Sequence, residues 1–181
     1  MKSKEKLQAA ATKLFMEKGY ENTTVQEIVS LVGVTERTFF RQFKDKSDVL
    51  FDTRNEMGER VAAFITDHFD VEQKPLKLAL DGFASVFSFF DGERERVLAR
   101  NQIIQSNSDL QERELLKSQA LIESVTNVLS VKYDSELSEL AARFAVEIFY
   151  MAFSKWIESA EKSFAEQMLA VYEVYQKLCQ Y

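Results

Sequence analysis

Apolar side chains at Leu7, Ala10, Ala11, Leu14 and Phe15 recur at i, i+3, i+4, i+7 and i+8, the spacing of one face of an amphipathic helix. Gly19 supplies its stop. Thr24 followed by Glu27 has the form of a capping box, in which hydroxyl and carboxylate satisfy free backbone N–H groups at a helix start. Behind it, Val25, Ile28, Val29 and Val32 make the buried face of a short second helix that Gly33 ends. Thr35 caps a third over residues 36–42, with Phe39, Phe40 and Phe43 as its apolar members. A longer helix followed by two short ones around a glycine turn predicts a helix-turn-helix.

The remaining chain reads as helix after helix. Asp45-Lys46-Ser47-Asp48 looks like the start of a long fourth helix, since acids suit the positive end of a helix dipole. Val49, Leu50, Met57, Val61, Phe64 and Ile65 carry that pattern to about Phe69. Pro75 fits the first turn of a fifth helix through Leu76, Leu80, Phe83, Phe87 and Phe90, and Asp91-Gly92 breaks the chain. A sixth helix is expected over 93–106. A seventh, capped by Asn107-Ser108-Asp109, buries Leu110, Leu115, Leu121, Ile122, Val125 and Leu129. Asp134-Ser135 restarts the chain into an eighth, with Leu137, Leu140, Ala141, Phe144, Ile148, Met151, Ala152 and Trp156 on its apolar side, and a ninth covers about 164–178. The expected fold is all-α: a three-helix DNA-binding domain over 1–46, then a body of roughly six helices over 47–181.

Composition narrows the chemistry. One Pro and five Gly leave too little turn chemistry for an all-β fold. The single Cys179 excludes a disulfide framework within the chain and a cysteine zinc cage, and points to a reducing cytoplasm. Apolar runs such as Val61-Ala62-Ala63-Phe64-Ile65 are far shorter than the ~20 residues that span a bilayer, and Met1-Lys2-Ser3-Lys4 leads into no signal-type stretch, so no membrane association is expected. His68 and Cys179 are alone and far apart, and the chain has neither a Gly-rich phosphate loop nor an HExxH motif. Paired carboxylates such as Glu158 and Glu161 lie on polar faces. The expectation is therefore no enzyme, no catalytic residue, no metal and no cofactor.

Charge is unevenly divided. The first 50 residues hold nine Lys and Arg against seven Asp and Glu, while the rest hold 14 against 22. An acidic body repels phosphate, so any DNA contact belongs to the N-terminal module. Its candidates are the residues near the start of the third helix, Thr35, Glu36, Arg37, Thr38 and Arg41, followed by Gln42, Lys44 and Lys46. Arg37 has the planar fork that pairs bidentately with guanine, whereas hydroxyls and ammonium groups beside it suit phosphates. The competing reading is a helical dimer that binds a protein partner without binding an operator.

The run Gly19-Tyr20-x-x-Thr23-Thr24-Val25-x-x-Ile28-Val29-x-x-Val32-Gly33-Val34-Thr35-x-x-Thr38-Phe39-Phe40-Arg41-x-Phe43-x-x-Lys46-x-Asp48-Val49-Leu50 closely resembles the N-terminal domain of TetR-family transcriptional regulators. The likeness covers about residues 5–51. It implies an all-helical homodimer that binds a double-stranded operator and responds to a small-molecule effector. It also implies phosphate contacts for Thr24 and Lys46 and a recognition helix over 35–42. Two positions depart from the family. Phe40 stands where a tyrosine commonly binds phosphate, so its ring packs without donating that bond. Arg37 stands where a small residue is frequent, which makes it a private specificity determinant. Residues 93–129, with Arg100-x-x-Ile103-Ile104 and Leu110-x-x-Arg113, resemble one type of TetR body more loosely.

Candidate effector-pocket residues are Met57, Val61, Phe64, His68, Phe83, Phe87, Phe90, Ile104, Phe149, Phe153 and Trp156, a lining that suits an apolar or flat molecule. Simple core packing is the competing reading for each ring. The last two helices carry wide apolar faces, and two from each subunit would make a four-helix bundle. Phe144, Ile148, Met151, Phe164, Met168, Val171, Tyr172 and Tyr175 are the expected dimer contacts.

Overall fold

Every regular element described in the computed structural model is helical, and the described residues are 3–51, 56–69, 73–87 and 90–180. The helices are α1 (Ser3–Lys18), α2 (Val25–Val32), α3 (Glu36–Phe40), α4 (Glu56–Asp67), α5 (Pro75–Phe87), α6 (Arg94–Gln105), α7 (Ser108–Leu129), α8 (Ser135–Glu158) and α9 (Phe164–Leu178). Single 3-10 turns cover Ser47–Val49 and Phe90–Glu93. None of these helices is long and apolar enough to cross a membrane. The chain divides into two compact units, one drawn from Met1–Arg54 with Glu95–Leu115 and the other from Asn55–Arg94 with Leu116–Tyr181.

In the first unit, Leu7, Ala11 and Phe15 of α1 pack with Ile28 and Val29 of α2 and with Phe39 and Phe43. Val49, Leu50 and Phe51 close the same core, as do Ile103 and Ile104 of α6 and Leu110 of α7. Ile104 is therefore not among the body's aromatics, where its sequence neighbourhood had grouped it. The segment 45–48 also differs from expectation. Instead of opening a long helix, it leads into the 3-10 turn Ser47–Val49, with Asp48 buried and Asp45 exposed at its start. Asp45 Oδ1 accepts from Asp48 N at 3.0 Å, and the buried Asp48 carboxylate accepts from Lys44 N at 2.6 Å and pairs with Arg113. Arg113 also donates to Asp45 and Ser47. Arg100 donates to Leu50 O at 2.6 Å and to Glu114 at 2.6 Å. These carboxylates serve a cation and their own turn, which consumes the helix-start chemistry they seemed to offer.

In the second unit, α4 and α5 approach closely at Gly82, where an added Cβ would lie 3.2 Å from Val61 Cγ1. Phe83, Phe87, Phe149 and Phe164 pack ring on ring, with centroids 4.5 Å apart for Phe87–Phe149 and 5.6 Å for Phe87–Phe164. Trp156 donates its indole N–H to Asp91 Oδ1 at 2.8 Å, and the same oxygen accepts Phe164 N at 3.1 Å, the first residue of α9. Arg94 donates to Trp156 O at 2.6 Å and lies over that indole. Leu137 and Leu140, expected inside, are exposed on α8.

Removing Arg113 leaves Asp48 charged and buried without its cation. Arg113→Ala should destabilise the first unit by about 3 kcal/mol, the lower end for a broken buried pair, because the Arg113 side chain is 32% exposed. Chemical denaturation checks this; an unchanged midpoint would mean that water replaces the guanidinium.

Candidate nucleic-acid interface

The interface begins with caps. Thr24 Oγ1 accepts from Glu27 N at 3.3 Å while Glu27 Oε2 accepts from Thr24 N at 2.8 Å, closing the box expected at the start of α2. Lys18 pairs with the same carboxylate. Gly33 ends α2 at φ +76°, a conformation that side chains with a Cβ adopt only with strain. Its N–H bonds Val29 O at 2.9 Å, and Val34 N reaches the same oxygen at 3.0 Å. This reversal delivers Thr35 as the N-cap of α3, with Oγ1 accepting from Thr38 N at 3.3 Å.

A helix of five residues has no intrinsic stability, so packing must hold it. Phe39 does this, wholly buried and in contact with Phe43 at 5.1 Å between ring centroids. With Phe39 inward, Thr35, Glu36, Arg37, Phe40 and Arg41 face solvent and Thr38 is half-buried. Thr35, Arg37, Thr38, Phe40 and Arg41 line a surface groove of about 450 Å³. Lys44 and Thr24 are also exposed.

Two of the expected DNA-facing side chains are occupied within the fold. Gln42 donates to Ser3 Oγ at 3.2 Å. Lys46 donates to Tyr20 O at 2.7 Å and lies 4.1 Å from the centre of the Tyr20 ring. An ammonium group has further N–H donors beyond that bond, so the contact fixes Lys46 without exhausting it. Burial raises the Tyr20 phenol above its ordinary 10.0, which keeps it neutral beside Lys46. Sequence reading missed Asp48 and the anchoring role of Arg113. The spacing Leu110-x-x-Arg113 held the only signal, and it lies far along the chain.

The candidate effector residues separate. Val61, Phe83, Phe87, Phe149 and Trp156 are buried together in the second unit, and Met57, Phe64 and Phe153 are half-buried there. His68 is exposed, stacked on Phe64 with ring centroids 3.9 Å apart. The side chain of Phe90 lies outside the described residues. Among the expected dimer contacts, Ile148, Phe164, Met168 and Val171 are buried within their own unit. Phe144 and Met151 are exposed, and Tyr175 is half-buried with its ring 5.2 Å from that of Phe144.

A capped short helix turned outward behind a glycine reversal is the layout of helix-turn-helix DNA-binding proteins. Residues 7–53 match the family model of the bacterial regulatory proteins of the tetR family. The chain is 26% identical over 155 residues to the HTH-type transcriptional regulator TcmR of Streptomyces glaucescens, covering 82% of this chain and 68% of TcmR. The fatty acid degradation regulator FadR from Bacillus halodurans shares the fold at 17% identity, with a TM-score of 0.61 over 96% of this chain and 95% of that one. FadR from Bacillus subtilis, solved in complex with stearoyl-CoA, shares it at 20% identity and a TM-score of 0.56 over 94% and 96%. Over residues 7–53 the chain is similar to the tetR family of bacterial regulatory proteins, and over nearly its whole length it has the fold of these two FadR proteins.

Lys18 and the Thr24 cap bonds lower the Glu27 carboxyl from the ordinary 4.5 to about 2. A carboxylate with a depressed folded value stabilises the fold above its unfolded pKa and loses that contribution as pH falls through the folded one. Stability from this cap should therefore decline between pH 4.5 and about 2. In Glu27→Gln that window should flatten. A titration midpoint for Glu27 near its ordinary value by NMR would contradict the cap.

Proposed function

We propose that this protein binds a palindromic operator as a cytoplasmic homodimer, represses transcription there, and is released by a small apolar or aromatic molecule. In this reading residues 1–46 hold the DNA and residues 47–181 form the effector-binding and dimerising body. The observation that carries it is the outward face of α3, where Thr35, Arg37 and Arg41 stand exposed around one groove. Such a face enters a major groove ~12 Å wide, and a symmetric pair of them needs a spacing of ~34–36 Å to meet successive turns. An effector that prefers another spacing weakens DNA binding by population shift.

The dimer is supported by an apolar stripe on α8. Leu137, Leu140, Phe144 and Met151 follow one another at helical spacing and are exposed in the single chain, as are Leu169, Val174 and Leu178 of α9. A continuous exposed stripe of leucine, phenylalanine and methionine on the long helix α8 fits a helix-bundle interface. An apolar effector is supported by the stearoyl-CoA complex of the Bacillus subtilis FadR, a protein of this fold solved with such a molecule bound.

Arg37→Ala should cost ~1–3 kcal/mol chiefly at one base pair, whereas Lys46→Ala should weaken all duplexes alike and lower the salt slope by ~1. Fluorescence anisotropy across operator variants and salt concentrations separates the two; interchanged behaviour would reassign both residues. Phe144→Arg puts a charge on the α8 stripe without touching a buried core, since Phe144 is 43% exposed. Analytical ultracentrifugation should find this variant monomeric, with operator affinity lost alongside. A dimer that survives the substitution would move the interface elsewhere.

A further inference from the structure

Phe40 is 51% exposed on the same face as Arg37 and Arg41. One exposed phenylalanine alone signifies little. This one, however, is held in place. Its ring stands edge-on to Phe39 with centroids 5.4 Å apart, and Phe39 is wholly buried against Phe43 and the first unit's core. It also shares its groove with Thr35, Arg37, Thr38 and Arg41, so two cations flank an apolar plate on the surface that faces DNA.

Of the groups that the major groove presents, phosphates and base edges are polar and offer such a plate no favourable contact. The C5-methyl of thymine is the exception. Resting on the operator reading above, we propose that Phe40 is a specificity-determining residue that reads a thymine methyl in each half-site. Arg37 and Arg41, one turn before and one residue after it, set the depth of the ring by holding the polar groups beside that base.

Full-length protein is first used to select duplexes from a library with a randomised centre, once made with thymine and once with deoxyuridine in its place. The two differ only in the methyl group. From the thymine library the wild type should enrich a motif with thymine at a fixed place in each half-site. Deoxyuridine at that place alone should weaken binding about fourfold, the value of one buried methyl-sized group. Phe40→Ala should bind the thymine and deoxyuridine duplexes equally. The inference fails if the wild type is indifferent to deoxyuridine at every selected thymine, or if Phe40→Ala keeps the fourfold preference. The wild-type comparison needs no variant, so a folding defect in Phe40→Ala leaves the test intact. A selected motif without a methyl effect sinks this inference and leaves the operator reading standing, whereas no enrichment from either library removes both.

Discussion

The burial of Phe39 governs the outward face of α3. Its helix is five residues long, too short to persist on backbone hydrogen bonds, and the ring is wholly excluded from water against α1 and α2 side chains. Burying a ring of that size contributes roughly 1.5–3 kcal/mol, more than an N-cap such as Thr35, worth ~1 kcal/mol. Orientation follows from the same contact. Once Phe39 points inward, helical spacing turns Arg37, Phe40 and Arg41 to solvent, and the glycine reversal at Gly33 decides where along the surface they emerge.

Much of this was legible from spacing alone. The capping box at Thr24 and Glu27, the stop at Gly33, the cap at Thr35 and the restart at Asp134 are local codes, written within a few residues of the bonds they make. The third aromatic of the α3 region was not. Phe39, Phe40 and Phe43 are chemically alike, and only the packed core distinguishes two buried rings from one exposed. Asp45 and Asp48 misled for a related reason. An acid near a helix start and an acid reserved for a distant guanidinium have the same sequence, and the partner, Arg113, lies 65 residues from Asp48.

The α8 and α9 apolar faces show the same limit. Leu137 and Leu140 have the periodicity of core residues, yet they are exposed in the single chain, while Phe164 and Met168 are used internally. Periodicity reports that a face is apolar and says nothing of what covers it. Ile104 was similarly ambiguous: one apolar residue on α6, with no local mark of which core it would join.

The first unit is assembled from two separated stretches of chain, since Arg100, Ile103, Ile104, Leu110 and Arg113 complete what the opening fifty residues begin. A fragment cut after the helix-turn-helix would lose the floor of its own interior and strand a carboxylate in it. Exchange of the opening fifty residues for those of another chain is constrained in the same way. A transplanted segment must bring its matching stretch of α6 and α7, or find a host whose residues there already fit.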